Sequence, residues 1–212
     1  SSCWPKIGCT LKDTAQVLLA NKRINKNTDA IENWLLSQNG TATELTWFLQ
    51  IDIPNRVQSS CSLIYQNTTK TITVKDDATI SGSPGSCFTI SASGYWLKAN
   101  ANCLSETFKI SCDQEFVTSL LYQKQNSQTI FVSPNTHSAS SLGETSEKIN
   151  SKCFKSGNSC SYEGTLWAAL ALDKTSHDVS PYLPYLLALS EDNKRFLSSS
   201  FLHILTQGAD QY

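Results

Sequence analysis

The chain changes its hydrophobic period twice. Between residues 10 and 38 the apolar positions recur at helical spacing. Ala15, Leu18, Leu19 and Ala20 follow an Asp13-x-x-Gln16 capping pattern, and Ile31, Trp34 and Leu35 lie at i, i+3, i+4 on one face. The polar stretch Asn21 to Asn27 separates the two runs and Asn39-Gly40 ends the second, so a helical hairpin is expected. From Thr43 to Ser111 the period falls to two. Leu45, Trp47, Leu49, Ile51 and Ile53 alternate with mainly polar residues, as do Cys61, Leu63 and Tyr65, then Ile72 and Val74. Turn signals at Pro54-Asn55, Asp76-Asp77, Gly82-Ser83-Pro84-Gly85, Ser93-Gly94 and Asn100 to Asn102 cut this region into short strands, the pattern of a small antiparallel β-sandwich.

Beyond Cys112 the spacing reads as helical again. Phe116, Leu120 and Leu121 stand behind a Ser111-x-x-Gln114 cap, Ile130 to Val132 reads as a short extended piece, and a weaker helix is expected over Ala139 to Asn150. An apolar helix follows from Gly164 to Lys174, another begins at Ser180-Pro181, and a last runs from Lys194 to Thr206 with Gly208 as its stop. The fold class expected is therefore α+β, in three parts: an N-terminal helical hairpin over residues 1–42, a β-sandwich-like domain over 43–111, and a C-terminal helical part over 112–212 that completes the helical domain.

Composition changes this picture in one direction. Thirty Ser and twenty Thr make up close to a quarter of the 212 residues, and only 17% of positions are charged. A net charge of −1 supplies no basic field for phosphate backbones, so nucleic acid is not an expected partner. No apolar run reaches the roughly 18 residues that a transmembrane helix needs. Ser1 stands without an initiator Met and reads as a processed terminus, any signal peptide already removed. Asn39-Gly40-Thr41 and Asn67-Thr68-Thr69 fit the N-glycosylation acceptor pattern.

Eight cysteines, Cys3, Cys9, Cys61, Cys87, Cys103, Cys112, Cys153 and Cys160, are spread along the chain without a C-x-x-C. With only His137, His177 and His203 to help, they offer no zinc-ligand spacing, and neither a metal nor a cofactor is expected. Spacing groups them as near neighbours: Cys3 with Cys9, Cys61 with Cys87, Cys103 with Cys112, Cys153 with Cys160. Such local bridges imply an oxidising compartment, hence a secreted or cell-surface protein.

Residues 14–39 and 165–190 share a plan. Thr14 matches Thr165, Leu19-Ala20 matches Leu170-Ala171, and Leu35-Leu36 matches Leu186-Leu187, with Trp34 over Tyr185. Thr14 to Asn39, with its Glu32-Asn33-Trp34-Leu35-Leu36-Ser37-Gln38 stretch, and Gly164 to Leu172 resemble the repeat hairpins of the terpenoid cyclase and prenyltransferase α/α-toroid superfamily. The resemblance implies hairpins of toroid type flanking the β insertion. The chemistry of that superfamily is not implied with it. Asp76-Asp77 stands alone where cyclases have Asp-x-Asp-Asp, no Asp, Cys and His set for zinc is recognisable, and Cys112-Asp113-Gln114-Glu115 transposes the thioester Cys-x-Glu-Gln. A reduced, non-catalytic extracellular member is expected.

No G-x-S-x-G elbow and no phosphate loop is present, and no catalytic residue is assigned. Tyr95 and Trp96, adjacent aromatics in the β region, are the candidate ligand-binding pair, because flat rings stack on sugars. The leading expectation is a non-enzymatic, structural or adhesive subunit of an extracellular assembly such as a filament, associating with itself or with other surface proteins. The alternatives are a glycan- or ligand-binding module and a cell-wall hydrolase or degenerate cyclase; the acids Glu163, Asp173, Asp178, Glu191 and Asp192 read as helix-end or turn residues and do not decide for the last.

Overall fold

A computed structural model describes residues 2–206; Ser1, read above as a processed terminus, and Gly208, expected to end the last helix, lie outside the described residues. The chain forms two compact units, Ser1–Ala42 with Ser151–Tyr212, and Thr43–Asn150.

In the first unit α1 (Leu11–Arg23) and α3 (Tyr162–Asp173) begin in the same way. The cap of α1 lies at Thr10, three residues before the Asp13 expected from sequence: its hydroxyl accepts the Asp13 N–H at 3.1 Å. Ser161 does this for Gly164 at 3.1 Å. Each cap satisfies a helix-end donor and contributes about 1 kcal/mol. One turn further, Thr14 Oγ1 accepts the Trp4 N–H at 2.9 Å, and Thr165 Oγ1 accepts the Phe154 N–H at 2.9 Å. The cap residues return the bond, Thr10 N–H donating to the Trp4 carbonyl and Ser161 N–H to that of Phe154. A short disulfide loop, Cys3–Cys9 or Cys153–Cys160, precedes each helix. The repeat seen in the sequence is thus a duplicated helix start.

Around these helices lie α2 (Asp29–Ser37), α4 (Leu183–Ala188), α5 (Ser198–Leu205) and a sheet of three short strands, β1 (Asn39–Thr41), β12 (Lys152–Ser156) and β13 (Ser159–Cys160). Their core holds Ala15, Leu18, Leu35, Leu166, Ala169, Leu172, Leu186 and Leu202, with Phe154 stacked on Tyr182 at 4.5 Å. Lys12 Nζ meets Glu163 Oε1 at 2.7 Å where α1 packs on α3.

The second unit carries β2 (Leu45–Asp52), β3 (Ser59–Tyr65), β4 (Thr68–Val74), β5 (Ile80–Gly82), β6 (Phe88–Ile90), β7 (Leu97–Ala99), β8 (Thr107–Cys112), β9 (Phe116–Lys124), β10 (Phe131–Ala139) and β11 (Thr145–Lys148). They form two five-stranded antiparallel sheets, ordered β10-β9-β2-β7-β6 and β11-β8-β3-β4-β5. Inward positions alternate as the period of two requires: Leu45, Trp47, Leu49 and Ile51 on β2, Cys61, Leu63 and Tyr65 on β3, Phe108, Ile110 and Cys112 on β8. Between the sheets Phe88 meets Phe108 at 4.5 Å, and Tyr65 stands edge-on to both, at 5.9 and 6.1 Å.

A polar latch joins β9, β10 and β11. The buried Glu147 carboxylate accepts the Thr118 hydroxyl at 2.6 Å, and the same oxygen lies 2.8 Å from His137 Nδ1. Burial of a carboxylate is tolerated because both partners are in place.

Two expectations are corrected here. Toroid-type hairpins flanking a small insert are not formed: among the described residues there are three antiparallel sheets and five α-helices of 6 to 13 residues. The helices expected from Phe116 and over Ala139 to Asn150 are instead strands β9 and β11, while the extended piece at Ile130 to Val132 overlaps the start of β10. On β9 the inward side chains Phe116, Thr118, Leu120 and Tyr122 alternate, but Leu121 is buried on the opposite face, and the resulting Leu-Leu pair imitates helical spacing.

The second correction concerns sulfur. All eight cysteines are bonded, but Cys61 pairs with Cys112 and Cys87 with Cys103, not Cys61 with Cys87 and Cys103 with Cys112. The cause is sheet register: β3 and β8 are antiparallel neighbours that set Cys61 opposite Cys112, Cα atoms 4.1 Å apart. A bond spanning 51 residues restricts the unfolded chain more than one spanning 7.

Replacing Cys61 and Cys112 together by Ala is expected to lower the unfolding free energy by about 4 kcal/mol, against about 2 for the Cys153/Cys160 pair, in urea titrations of oxidised protein. Equal losses would contradict the loop-entropy account. Gly164→Ala places a Cβ 2.5 Å from Leu11 Cδ1 and 3.0 Å from Leu11 Cβ, and is expected to cost about 1–3 kcal/mol by the same titration; a neutral result would mean that α3 does not rest on Leu11.

Candidate functional site

Three turns of the second unit meet at one hollow. The first follows β2, where Asp52 ends the strand and Arg56, at φ 51°, donates its N–H to the Ile53 carbonyl at 3.0 Å. The second joins β4 to β5: Lys75 N–H donates to the Thr79 carbonyl, and Ala78 at φ 65° turns the chain. The third joins β6 to β7 and carries the two aromatics singled out in the sequence. Ser91 N–H donates to the Trp96 carbonyl at 2.8 Å, Trp96 N–H to Ser91 Oγ at 3.3 Å, and Gly94 N–H to the Ser91 carbonyl at 2.9 Å. Gly94 adopts φ 81°, a left-handed conformation that glycine accepts without strain. Its carbonyl accepts the Ile80 N–H at 2.8 Å, which ties the third turn to the second.

The hollow has a volume of about 310 Å³ and is lined by Gln50, Asp52, Arg56, Asp77, Tyr95 and Trp96, with Ile51 and Ala78. Tyr95 leaves 47% of its surface open. Trp96 is half-buried because its ring leans on Phe48 of β2, 5.7 Å away, which fixes the indole at the hollow's edge. Asp77 Oδ1 accepts both the Thr79 hydroxyl at 2.6 Å and the Thr79 N–H at 2.8 Å. These bonds hold its carboxyl below the usual carboxylate range. Two rings, two carboxylates, a guanidinium and an amide converge here, a donor, acceptor and stacking set suited to a polyhydroxylated ligand.

Tyr95 and Trp96 were legible in the sequence; Gln50, Asp52, Arg56 and Asp77 were not. Asp76-Asp77 and Pro54-Asn55 stood out as turns, but nothing linear places those turns at one end of two sheets. The acids named from sequence, Glu163, Asp173, Asp178, Glu191 and Asp192, all lie in the other unit. Two histidines are tied to carboxylates, His137 to Glu147 and His177 to Glu32, the latter at 2.7 Å. Among the described residues no three His, Cys, Asp or Glu side chains cluster as metal ligands.

The two glycosylation sequons differ. Asn67 and Gln66 form the two-residue turn between β3 and β4, both at positive φ, and Asn67 is exposed. Asn39 is paired with Phe154 in a ladder, and its Oδ1 is buried without a partner.

Comparison of the chain with protein-family models, with curated proteins and with solved structures returns no match. The toroid-superfamily resemblance therefore has neither a matching family nor the helical architecture it implied, and the site's own chemistry carries the functional argument.

Glycan addition in a secretory host is expected at Asn67 and not at Asn39. Peptide mass mapping with and without amidase treatment checks this, and occupancy at Asn39 would contradict the folded placement of that residue.

Proposed function

We propose that the protein is a non-enzymatic, secreted or cell-surface adhesive protein that binds glycans at the hollow beside Tyr95 and Trp96. The observation that carries this reading is the exposed Tyr95 ring held next to Trp96 above Gln50, Asp52, Arg56 and Asp77. Apolar ring faces take the C–H face of a pyranose, while carboxylates, amide and guanidinium take its hydroxyls. Four disulfides with no free cysteine support an oxidising compartment outside the cytosol. Among the described residues no helix is long and apolar enough to cross a membrane.

A hydrolase reading of the same hollow is weaker. A general acid needs a raised carboxyl pKa, and Asp77 is shifted the other way by its bonds to Thr79. Its carboxylate is better suited to accept ligand hydroxyls.

Assembly with other surface chains belongs to this proposal, through side-chain surfaces and not through strand pairing. Edge strand β10 contains Pro134 and a register shift between Val132 and Thr136, and edge strands β5 and β6 have three residues each. These are the devices by which sheets resist edge-to-edge addition.

Screening on a glycan array followed by calorimetry tests the reading. Tyr95→Ala removes an exposed ring and is expected to weaken binding about tenfold or more without changing thermal stability. Trp96→Ala is expected to weaken it further. Absence of any glycan ligand for the wild-type chain, or unchanged affinity in Tyr95→Ala, would overturn the proposal.

A further inference from the structure

The outward side chains of β2 point to a longer ligand than one sugar. Thr46, Phe48, Gln50 and Asp52 alternate onto the outer face of their sheet, opposite Leu45, Trp47, Leu49 and Ile51; of the outer four only Phe48 is buried, under Trp96. Gln50 and Asp52 belong to the hollow already described, while Thr46 and Phe48 line a second one of about 680 Å³. The two hollows share an aromatic ridge, because Phe48 of the larger packs against Trp96 of the smaller. From Thr46 to Asp52 the strand covers about 20 Å, more than a mono- or disaccharide occupies.

The lining of the larger hollow says what its occupant carries. Gln123 lies opposite Thr46 in the ladder, and Asn100 and Gln125 add further amides. Lys98, exposed and opposite Phe48 on β7, is the charged member of that lining; the other side chains are amides, hydroxyls or apolar groups. The smaller hollow combines one guanidinium with two carboxylates. The groove thus carries Lys98 beside the aromatic ridge where the two hollows meet, and its carboxylates lie around Asp52 and Asp77.

We infer that the ligand is a linear oligosaccharide lying along β2 across both hollows, with neutral hydroxyls over Asp52 and Asp77 and a carboxylate-bearing sugar over Lys98. Amides that can both donate and accept suit ring hydroxyls and ring oxygens along such a chain, and a lone ammonium in an otherwise uncharged lining favours an anionic unit over a neutral one. This inference rests on the glycan-binding reading of the smaller hollow and adds the length and acidity of the ligand to it.

The experiment is calorimetry with two length series, from monosaccharide to hexasaccharide, one neutral and one of uronic acids, on the wild-type chain, Lys98→Gln and Gln123→Ala. Lys98 and Gln123 lie on the sheet's outer face, so both variants are expected to keep wild-type unfolding curves. Expected is an affinity that rises with length, more steeply for the acidic series, by tenfold or more between disaccharide and hexasaccharide. Lys98→Gln should erase the acidic advantage, Gln123→Ala should reduce the gain with length, and both should leave the affinity for the neutral monosaccharide, held in the smaller hollow, unchanged. Binding that is lost in Tyr95→Ala but does not depend on length overturns this inference and leaves the single-site reading standing. A length gain that persists unaltered in both groove variants also overturns it, and no binding by either series overturns both.

Discussion

The meeting of Phe88 and Phe108 across the two sheets is the contact on which the strand-rich unit depends. Strands of one sheet expose an apolar face that only a second sheet can cover, and burying each such ring stabilises by roughly 1.5–3 kcal/mol. Phe88 sits on β6, the short edge strand, so this contact also fixes the strand that leads into the Tyr95–Trp96 turn. Tyr65 completes the trio and donates its hydroxyl to the Pro84 carbonyl at 2.6 Å, holding the segment by which the chain crosses from β5 to β6. Gly85 is required beside it, since at φ 84° a Cβ there would collide with the Tyr65 hydroxyl. Cys87 then joins Cys103 next to the ring. The site is a consequence of how one sheet hands the chain to the other.

What the sequence discloses follows from what kind of constraint acts. Strand β2 reads correctly because Leu45, Trp47, Leu49 and Ile51 keep an unbroken apolar alternation, even though Phe48 between them is also buried. Strand β9 does not, because its inward row is interrupted by Thr118 and Leu121 is buried on the other face, which leaves Phe116, Leu120 and Leu121 at helical spacing, and β10 is too exposed to show an apolar row at all. Disulfide partners escape the linear order for a related reason. Proximity along the chain governs Cys3–Cys9 and Cys153–Cys160, but antiparallel pairing overrides it for Cys61 and Cys112. The same limit hides most of the hollow: Tyr95 and Trp96 are neighbours in sequence, whereas Asp52, Arg56 and Asp77 reach them only through the folded order β2-β7-β6 and the tie from Ile80 to Gly94.

The duplicated helix start carries a lesson about repeats. Thr14 and Thr165 match in sequence as members of helical hairpins, yet what they share physically is a bond to the backbone of an aromatic residue upstream, Trp4 or Phe154, closed by a cap at Thr10 or Ser161. That device settles where a helix begins. It says nothing about how many hairpins follow or how they close, which explains how a repeat of this kind occurs in a chain whose sheets outweigh its helices.

Charge economy and the choice of ligand chemistry belong to one argument. A surface rich in Ser and Thr with few charges stays hydrated through hydroxyls, and against such a background a cluster of Asp52, Arg56 and Asp77 is conspicuous. Asp77 spends its carboxylate on Thr79 to hold the turn, leaving further lone pairs for an incoming hydroxyl. An anion already stabilised by two donors resists protonation, so it keeps that acceptor role when the surroundings become mildly acidic. A neutral, hydroxylated ligand gains from this arrangement, because it can donate to the carboxylates without bringing a like charge beside them. An anionic sugar gains at the ridge, where Lys98 stands in a lining without carboxylates, whereas beside Arg56 the two aspartates offset the guanidinium.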